Sequence, residues 1–298
     1  MILYNGATGG LGRYLAPALA RRGATAMTLA SLLEQRDGLR RELQLATPID
    51  RGVTLLHLAA MVPVAKCEAD PERAWQTNVE HTCATILDVA AWALGRGVPL
   101  RVIYVSSGHV YAEPPVGRLA RETDPLGPRS TYAHTKRAAE ERLAELSIQN
   151  GFGLRVARVF GLVAPAQPPT YVLPGLMRRV REGRLQDIPG LSYVRDYLDA
   201  RDVCEALLDL AKTVSWDRPE TLNVCSGRGI SLREMLTFIL HALRPTEADG
   251  LLASATEAPG RPDDIRWLVG DPSRLRAALG REPARIRLEE TIDEAAKA

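Results

Sequence analysis

The stretch that decides the fold is Ile2–Gly12, which reads ILYNGATGGLG, a short apolar strand running directly into a glycine-rich turn. The residues that follow, from 11 to 22, have the spacing of an amphipathic helix. Glycines between a strand and a helix permit a tight turn and let backbone N–H groups approach a pyrophosphate at the helix N-terminus. The pattern predicts a dinucleotide-binding unit, and a plain strand-to-helix connection is the alternative interpretation.

Downstream of this turn, short apolar runs alternate with helical patterns. Strands are predicted over 2–4, 26–30, 54–59, 101–106 and 154–160, and helices over 11–22, 74–94, 131–149, 176–183, 199–212, 231–243 and 273–279. Such alternation builds a parallel sheet covered by helices on both faces. We therefore expect an α/β protein, with a Rossmann-type doubly wound parallel sheet and a smaller, mostly C-terminal α/β substrate domain.

The same pattern suggests the domain boundaries. Residues 1–162 with about 192–226 form the predicted dinucleotide-binding domain, and about 163–191 with 227–298 form the predicted substrate-binding domain. Residues 31–53 are too few for the usual helix, strand and helix of this fold, so that region is expected to be trimmed. Residues 161–175 are rich in proline and lack periodicity, which predicts a long loop on the substrate side.

Composition favours a small-molecule partner. The 38 basic and 36 acidic residues are spread along the chain, so neither nucleic acid nor a membrane is expected as a partner. The four cysteines form no C-x-x-C pair and share no histidine-rich neighbourhood, so no metal site and no disulfide framework are predicted. The strand-like Ile2–Tyr4 directly after Met1 leaves no room for a targeting segment, and a cytoplasmic protein is expected.

The end of the second strand bears on the choice of cofactor. An acidic residue at this position usually binds the adenosine ribose of NAD, but here the position is Ala30, followed by Ser31. Without the acid there is no repulsion against a 2′-phosphate, and Ser31, Arg13 and Arg36 are candidate phosphate partners. NADPH is therefore favoured and NAD remains possible. The alternative is that these arginines are ordinary solvated side chains.

A tyrosine and a lysine on one predicted helix carry the chemistry. Tyr132 and Lys136 are four residues apart, hence on the same helix face, and a nearby ammonium lowers the pKa of a phenol. Tyr132 would then donate a proton to a developing alkoxide, or accept one in the reverse direction. Upstream, Ser106 and Ser107 close an apolar strand at the carboxyl end, where open sheets bind ligands. Either hydroxyl is a candidate to hold the reacting oxygen.

With these motifs in order, the chain resembles the extended short-chain dehydrogenase/reductases, also called the NAD-dependent epimerase/dehydratase family. The resemblance covers nearly the whole chain. Besides the glycine turn it rests on His57–Ala60, Thr77–Val79, Ser106–Tyr111, Tyr132–Lys136 with Glu140, Leu154–Gly161, Arg195–Asp202, Asn223–Gly227 and Arg261–Asp264 with Asp271–Ser273. The last two stretches are most similar to those of nucleotide-diphosphate 4-keto-6-deoxyhexose reductases.

The resemblance assigns roles to individual residues and implies a possible homodimer. It implies a catalytic set of Ser107, Tyr132 and Lys136, with Lys136 also binding the nicotinamide ribose. Cofactor contacts are expected from Gly6, Thr8, Gly9, Gly10, Leu11, Gly12, Arg13, Ser31, Arg36, Leu58, Ala59, Ala60, Asn78, Tyr132 and Lys136. Substrate contacts are expected from Ser107, His109, Arg158, Arg195 and Arg261, of which Arg261 has a surface pair with Asp263 or Asp264 as its alternative.

Departures from the family pattern narrow the reaction. Gly108 and His109 stand where dehydratases of the family carry Asp-Glu, so water elimination is not expected, while His109 is a candidate for assisting proton transfer. Arg158 replaces the usual Asn and Ala112 the usual Gly, which alters the expected substrate contacts.

The leading hypothesis is an NADPH-dependent ketoreductase of a nucleotide-activated 4-keto-6-deoxysugar, with Tyr132 as proton donor. Three alternatives stay open. They are a nucleotide-sugar epimerase with bound NAD, a ketoreductase of a natural-product ketone, and a non-catalytic dinucleotide sensor.

Overall fold

The structure is a computed structural model that describes residues 1–22, 26–28, 52–213, 216–261, 264–282 and 286–297 of the 298-residue chain. Its strands are β1 Ile2–Tyr4, β2 Ala26–Thr28, β3 Val53–His57, β4 Leu100–Ser107, β5 Gly153–Val159, β6 Gly161–Val163, β7 Ile188–Pro189, β8 Val194–Asp199, β9 Glu220–Val224, β10 Gly229–Ser231, β11 Glu257–Ala258 and β12 Trp267–Leu268. Its α-helices are Gly12–Arg21, Val64–Ala69, Pro71–Trp75, Thr82–Leu94, Thr131–Asn150, Val172–Arg181, Ala200–Leu210, Leu232–Leu243, Ala248–Ser254, Ser273–Leu279 and Leu288–Lys297.

A parallel sheet in the order β2-β1-β3-β4-β5-β9 forms the centre of the described chain. Its middle strands are apolar and buried, as in β3, where all five residues are inaccessible, because helices cover both faces. One face packs on the helices Thr82–Leu94 and Thr131–Asn150, and the other on Gly12–Arg21 and Ala200–Leu210. The predicted Rossmann-type, doubly wound sheet is confirmed.

A second, smaller sheet has the order β10-β8-β12, and β6 also pairs with β8. It adjoins a separate apolar core built from residues between 163 and 191 and between 230 and 295. Strand β8 falls in the range assigned from sequence to the dinucleotide-binding domain, yet among the described strands it pairs with β6, β10 and β12, which lie in the second sheet. Within 192–226, β9 is the described strand that joins the central sheet. The remaining domain boundaries stay a prediction.

Buried Asp196, in β8, holds two loops against the second sheet. Its carboxylate accepts hydrogen bonds from the backbone N–H of Ser226 at 2.8 Å, Gly227 at 2.8 Å and Gly270 at 3.3 Å. Burial nevertheless raises the pKa of Asp196 to about 6, because desolvation of the charged form outweighs these bonds. This one side chain therefore joins β8 to the segments that follow β9 and β12.

Some sequence-based elements need correction. The predicted loop 161–175 contains β6 and the first turn of the helix Val172–Arg181. Pro174 lies in that turn, where a helix does not need the missing N–H, so proline there does not mark a loop. The predicted helix 74–94 is broken by a π-helical segment, Gln76–His81. Three short helices were not predicted, namely Val64–Ala69, Ala248–Ser254 and Leu288–Lys297.

The region 31–53, predicted to be trimmed, lies almost wholly outside the described residues. None of the described helices has the length and apolar character needed to cross a membrane.

Candidate active site

The predicted site residues gather at the carboxyl edge of the central sheet. The glycine turn follows β1, Leu58–Ala60 follow β3, and Ser107 is the last residue of β4. Tyr132 and Lys136 lie in the first turns of the helix Thr131–Asn150, which starts where the Ser130 hydroxyl accepts a hydrogen bond from the N–H of Ala133 at 3.2 Å. Parallel strands bring all of these segments to one side of the sheet.

The glycine turn is shaped by close backbone approaches. A Cβ atom on Gly6, whose φ is +69°, would lie 2.8 Å from the nitrogen of Ala59, and one on Gly12 would lie 2.0 Å from the Gly6 carbonyl oxygen. Gly10 differs, because its Cβ would find Tyr171 Oη as the nearest atom, at 3.5 Å. The N–H groups of Gly10 and Leu11 make no backbone hydrogen bond to another described residue. These donors, at a helix N-terminus, fit a dinucleotide phosphate.

The segment after β3, Leu58–Ala60, lies against the glycine turn, and these two segments are the walls of the candidate dinucleotide cleft. Asn78, in the π-helical segment, is completely buried, and its side-chain amide binds the protein itself. Its Oδ1 accepts from the N–H of Met61 at 2.6 Å, while its Nδ2 donates to the Met61 carbonyl at 3.3 Å and to Thr135 Oγ1 at 3.0 Å. Asn78 therefore fixes the cleft wall to the helix that carries Tyr132 and Lys136.

Part of the predicted cofactor set lies outside the described residues. Ser31 and Arg36 belong to that part, as does Ala30. Arg13 is exposed at the start of its helix and donates to the carbonyl groups of Thr8 at 3.2 Å and Ala166 at 3.4 Å. The NADPH preference stays a prediction.

The structure brings Ser107, Tyr132 and Lys136 together. Lys136 is 3% exposed and donates from Nζ to the carbonyl of Val105 at 2.9 Å. Its ammonium lies 4.8 Å from the ring centroid of Tyr104 and 5.9 Å from that of Tyr132. Tyr132 shares a side-chain hydrogen bond with Ser107, whose Oγ also accepts from the N–H of His109 at 3.2 Å.

Burial controls the protonation of this trio. It raises the pKa of Tyr132 well above its usual value, and the hydrogen bond with Ser107 opposes the shift. It also lowers the pKa of Lys136 to about 8, against the opposing charge of Glu140. The net shift is opposite to the lowering expected from the sequence, because desolvation of the phenolate outweighs the stabilisation that a neighbouring ammonium provides. Tyr132 remains protonated, as a proton donor requires.

Polar side chains line a cavity beside the start of the helix that carries Tyr132. His109, Arg129, Arg261 and Asp264 line one cavity, which begins beside Ser130. The pKa of His109 is lowered to about 4 by burial and by the positive charge of Arg195, so His109 is neutral near pH 7. Arg195 donates from Nη2 to Asp264 Oδ1 at 2.7 Å.

Arg158 has a different environment from the one expected of a substrate contact. It is 5% exposed and donates from Nε and Nη2 to the Glu140 carboxylate, at 2.6 Å for the shortest contact. The guanidinium also lies 4.8 Å from the ring centroid of Tyr111. Its charge is thus neutralised inside the protein by Glu140, which also accepts from the Ser106 hydroxyl. The structure gives Arg158 an internal partner, Glu140, and its role as a substrate contact stays a prediction.

Sequence reasoning overlooked several buried polar residues beside the cleft. Asn5 and Thr82 received no role, and His57 and Glu140 entered only as parts of family motifs. A polar residue at the end of an apolar strand, as at Asn5 and His57, was the available signal. Across the described ranges, no group of three or more His, Cys, Asp or Glu side chains is arranged to hold a metal ion.

Comparison with known proteins agrees with this fold. Residues 2–225 match the model of the NAD dependent epimerase/dehydratase family. The chain belongs to this family. It is an NAD(P)-dependent, oxidoreductase-type enzyme, as predicted from the sequence.

Individual relatives differ in activity. A GDP-6-deoxy-D-mannose reductase of Pseudomonas aeruginosa is 30% identical over 78% of this chain and 70% of its own length. A dTDP-6-deoxy-L-talose 4-dehydrogenase (NAD(P)(+)) of Kitasatospora kifunensis is 28% identical over 97% of this chain and 92% of its own. The NAD complex of Thermus thermophilus UDP-glucose 4-epimerase has a TM-score of 0.80 at 26% identity, covering 99% of this chain and 97% of that one. The site assignments and the homodimer stay predictions.

Proposed function

We propose that this enzyme is an NADPH-dependent ketoreductase acting on a nucleotide-activated 4-keto-6-deoxysugar. The observation that carries the proposal is the grouping of Tyr132, Ser107 and Lys136 at the carboxyl edge of the central sheet, with the Lys136 ammonium 5.9 Å from the Tyr132 ring centroid and Ser107 hydrogen-bonded to Tyr132. A ketone becomes an alkoxide on reduction and needs such a proton donor. When bound at the glycine turn, the dinucleotide supplies the hydride.

Each residue of the trio has a separate task in this proposal. Ser107 binds the carbonyl oxygen of the substrate and holds it beside the Tyr132 hydroxyl. Tyr132 donates its proton to that oxygen as negative charge develops there. Lys136, fixed by the Val105 carbonyl, places a positive charge near the phenolate that forms, which stabilises it. The neutral His109 is a hydrogen-bonding group for the substrate rather than a second charge.

The substrate class is supported by charge and by the relatives. Arg129 and Arg261 line the cavity beside His109, and guanidinium groups bind phosphate oxygens in a fixed, forked geometry. The diphosphate of a nucleotide sugar is the ligand group that these two guanidinium groups would bind. The reductase and the 4-dehydrogenase among the relatives are both named for 6-deoxysugars attached to a nucleotide.

The cofactor preference rests on the second strand. Ala30 stands where an acid would select NAD, and Ser31, Arg13 and Arg36 offer groups to a 2′-phosphate. The preference can be measured as the ratio of kcat/KM for NADPH to that for NADH. We expect Ala30→Asp to lower this ratio by about tenfold or more, because it adds a negative charge opposite the phosphate. An unchanged ratio would contradict the assignment.

The decisive experiment is a turnover assay. Purified enzyme with NADPH and a panel of nucleotide-linked 4-keto-6-deoxysugars is expected to consume cofactor, and Tyr132→Phe to slow this about 10²–10⁴-fold. His134→Gln, at an exposed position two residues from Tyr132 on the same helix, is the matched control and should retain full activity. Turnover of a non-sugar ketone, with none across the sugars, would exclude the substrate class. Equal rates for wild type and Tyr132→Phe would exclude the mechanism.

A nucleotide-sugar 4-epimerase is the second candidate, favoured by the likeness to an epimerase with bound NAD. An epimerase oxidises and re-reduces the same carbon, so it consumes no cofactor. Absorbance and mass spectrometry of the purified protein distinguish the two. Copurified NAD and interconversion of two sugars without added cofactor identify an epimerase, whereas stoichiometric use of NADPH identifies a reductase.

A further inference from the structure

A buried chain of hydrogen bonds runs behind the cleft. Asn5, at the end of β1, accepts through Oδ1 from the N–H groups of Leu58 at 2.9 Å and Ala59 at 3.0 Å. Its Nδ2 lies 3.0 Å from Nδ1 of His57, and Nε2 of His57 lies 3.1 Å from Thr82 Oγ1. Asn5 and His57 are each 3% exposed and Thr82 is 1% exposed. Three separate segments of the site are joined by these contacts.

The hydrogen bonds at Asn5 and at Thr82 require the same tautomer of His57. Since Oδ1 of Asn5 accepts two N–H groups, its Nδ2 must face His57 and donate to Nδ1, which therefore carries no proton. At the other end, the Thr82 hydroxyl donates to the Thr77 carbonyl at 3.3 Å, so it accepts from His57 and Nε2 carries the proton. His57 is thus held as the neutral Nε2–H tautomer with every polar atom used.

We propose that Asn5 and His57 are positioning residues that hold the two backbone walls of the dinucleotide cleft at a fixed separation. One wall is the turn at Gly6, next to Asn5, and the other is the segment at Ala59, which the side chain of Asn5 anchors. The walls already touch, since a Cβ on Gly6 would lie 2.8 Å from the Ala59 nitrogen. Loss of the hydrogen bonds from the N–H groups of Leu58 and Ala59 to Asn5 would therefore change the width of the cleft.

The groups around His57 favour this fixed state. Lys136 is the positive charge that acts on it, Tyr104 packs with its ring centroid 6.0 Å away, and Asn5 and Thr82 occupy both ring nitrogens. Burial and the charge of Lys136 lower the pKa of His57 to about 3. His57 therefore stays neutral at any pH well above 3, and the hydrogen-bond chain from Asn5 to Thr82 keeps one arrangement. The inference rests on the proposed function only in taking this cleft as the dinucleotide site.

The test compares two substitutions at Asn5. Asn5→Ala removes both anchoring bonds and is expected to weaken NADPH binding about tenfold, raising the KM for NADPH more than it lowers kcat. Asn5→Asp keeps an acceptor for Leu58 and Ala59 and should bind NADPH within about threefold of wild type. Its second oxygen cannot donate to His57, so Nδ1 of His57 must gain a proton. Thermal unfolding checks that both variants are folded.

Nuclear magnetic resonance gives a readout that does not depend on cofactor. The chain has five histidines, His57, His81, His109, His134 and His241, so ¹⁵N-histidine labelling gives a small set of signals, and His57→Gln assigns the one in question. We expect an unprotonated Nδ1 for His57 in the wild type at pH 7 and a protonated Nδ1 in Asn5→Asp.

The outcomes separate two failures. A protonated Nδ1 in the wild type, or folded Asn5→Ala that binds NADPH as tightly as wild type, overturns the positioning role. Should the wild type bind neither NADPH nor NAD, the proposed function fails, and the histidine signals still decide whether the hydrogen-bond chain exists. Thr82→Val and Thr82→Ser extend the test, because only serine restores the acceptor for Nε2–H. A displaced Nε2 signal of His57 in valine but not in serine supports the hydrogen-bond chain, and an Nε2 signal unchanged from wild type in both variants overturns it.

Discussion

Removing one partner of the Arg158–Glu140 pair should be far more damaging than removing both. Both side chains are nearly inaccessible, at 6% and 7% exposure, and Arg158 makes three contacts to the carboxylate within 3.1 Å. Arg158→Met leaves Glu140 buried with the Ser106 hydroxyl as its remaining neutral partner. Breaking a buried ion pair in this way costs about 3–5 kcal/mol of unfolding free energy.

The double variant Glu140→Met/Arg158→Met removes the buried charge altogether. Replacing a buried pair by apolar side chains of similar volume is close to neutral, within about 2 kcal/mol. Unfolding in urea, followed by tryptophan fluorescence, gives the midpoint and slope for wild type, both single variants and the double variant. Equal slopes permit direct comparison of the free energies. The coupling energy from this cycle is expected to be about 3 kcal/mol.

Two results would refute the reasoning. If Arg158→Met lowers the unfolding free energy by less than about 1 kcal/mol, the pair does not behave as a desolvated one. If the two single losses simply add in the double variant, the residues do not interact. Kinetics on the same proteins address the earlier substrate interpretation, because a raised KM for the sugar nucleotide without any loss of stability would return Arg158 to the substrate site.

Three further predictions concern the cleft. Gly12→Ala should prevent stable folding, because its Cβ would lie 2.0 Å from a backbone oxygen. Gly10→Ala should fold normally and lose NADPH affinity, as thermal unfolding and calorimetry can show. Equal behaviour of the two variants would contradict the assignment of the glycine turn to phosphate binding. Burial lowers the pKa of Lys136 to about 8 in the folded protein. Between about pH 8 and pH 10 the unfolded protein therefore binds this proton more tightly than the folded protein does. In this range the free energy of unfolding of wild type should rise with pH relative to that of Lys136→Met. Urea midpoints that shift in parallel for the two proteins would rule this out. The pKa of His109 is about 4, so His109→Gln should leave the shape of the curve of kcat/KM against pH unchanged from pH 5.5 to 8. Loss of an inflection near pH 6.5 in this variant would show that His109 titrates there.

The central sheet could be predicted because its strands are apolar runs buried on both sides. Strand β4, for example, is found within one residue of its predicted start and end. The spacing of Tyr132 and Lys136 likewise fixes their common helix face whatever surrounds them. By contrast, the break of one predicted helix into a π-helical segment at Gln76–His81 leaves no trace in the spacing of its apolar residues.

What the sequence could not show is pairing between distant side chains. Arg158 bears a charge that suits a substrate phosphate, and only the packing of β5 against the helix Thr131–Asn150 reveals Glu140 as its partner. Asn5 and His57 are 52 residues apart and meet because β1 and β3 are neighbours. The pKa of Tyr132 also depends on burial, which local spacing does not contain.

The second sheet has a consequence for anyone who wishes to exchange substrate specificity between relatives. Its four described strands come from four separate parts of the chain, since β6, β10 and β12 each pair with β8. A chimera made by a single crossover after β9 would therefore combine β6 and β8 from one parent with β10 and β12 from the other. Recombination that keeps both sheets intact needs three joints, before 161, after 199 and after 224, so that 161–199 and the segment after Val224 are inherited together.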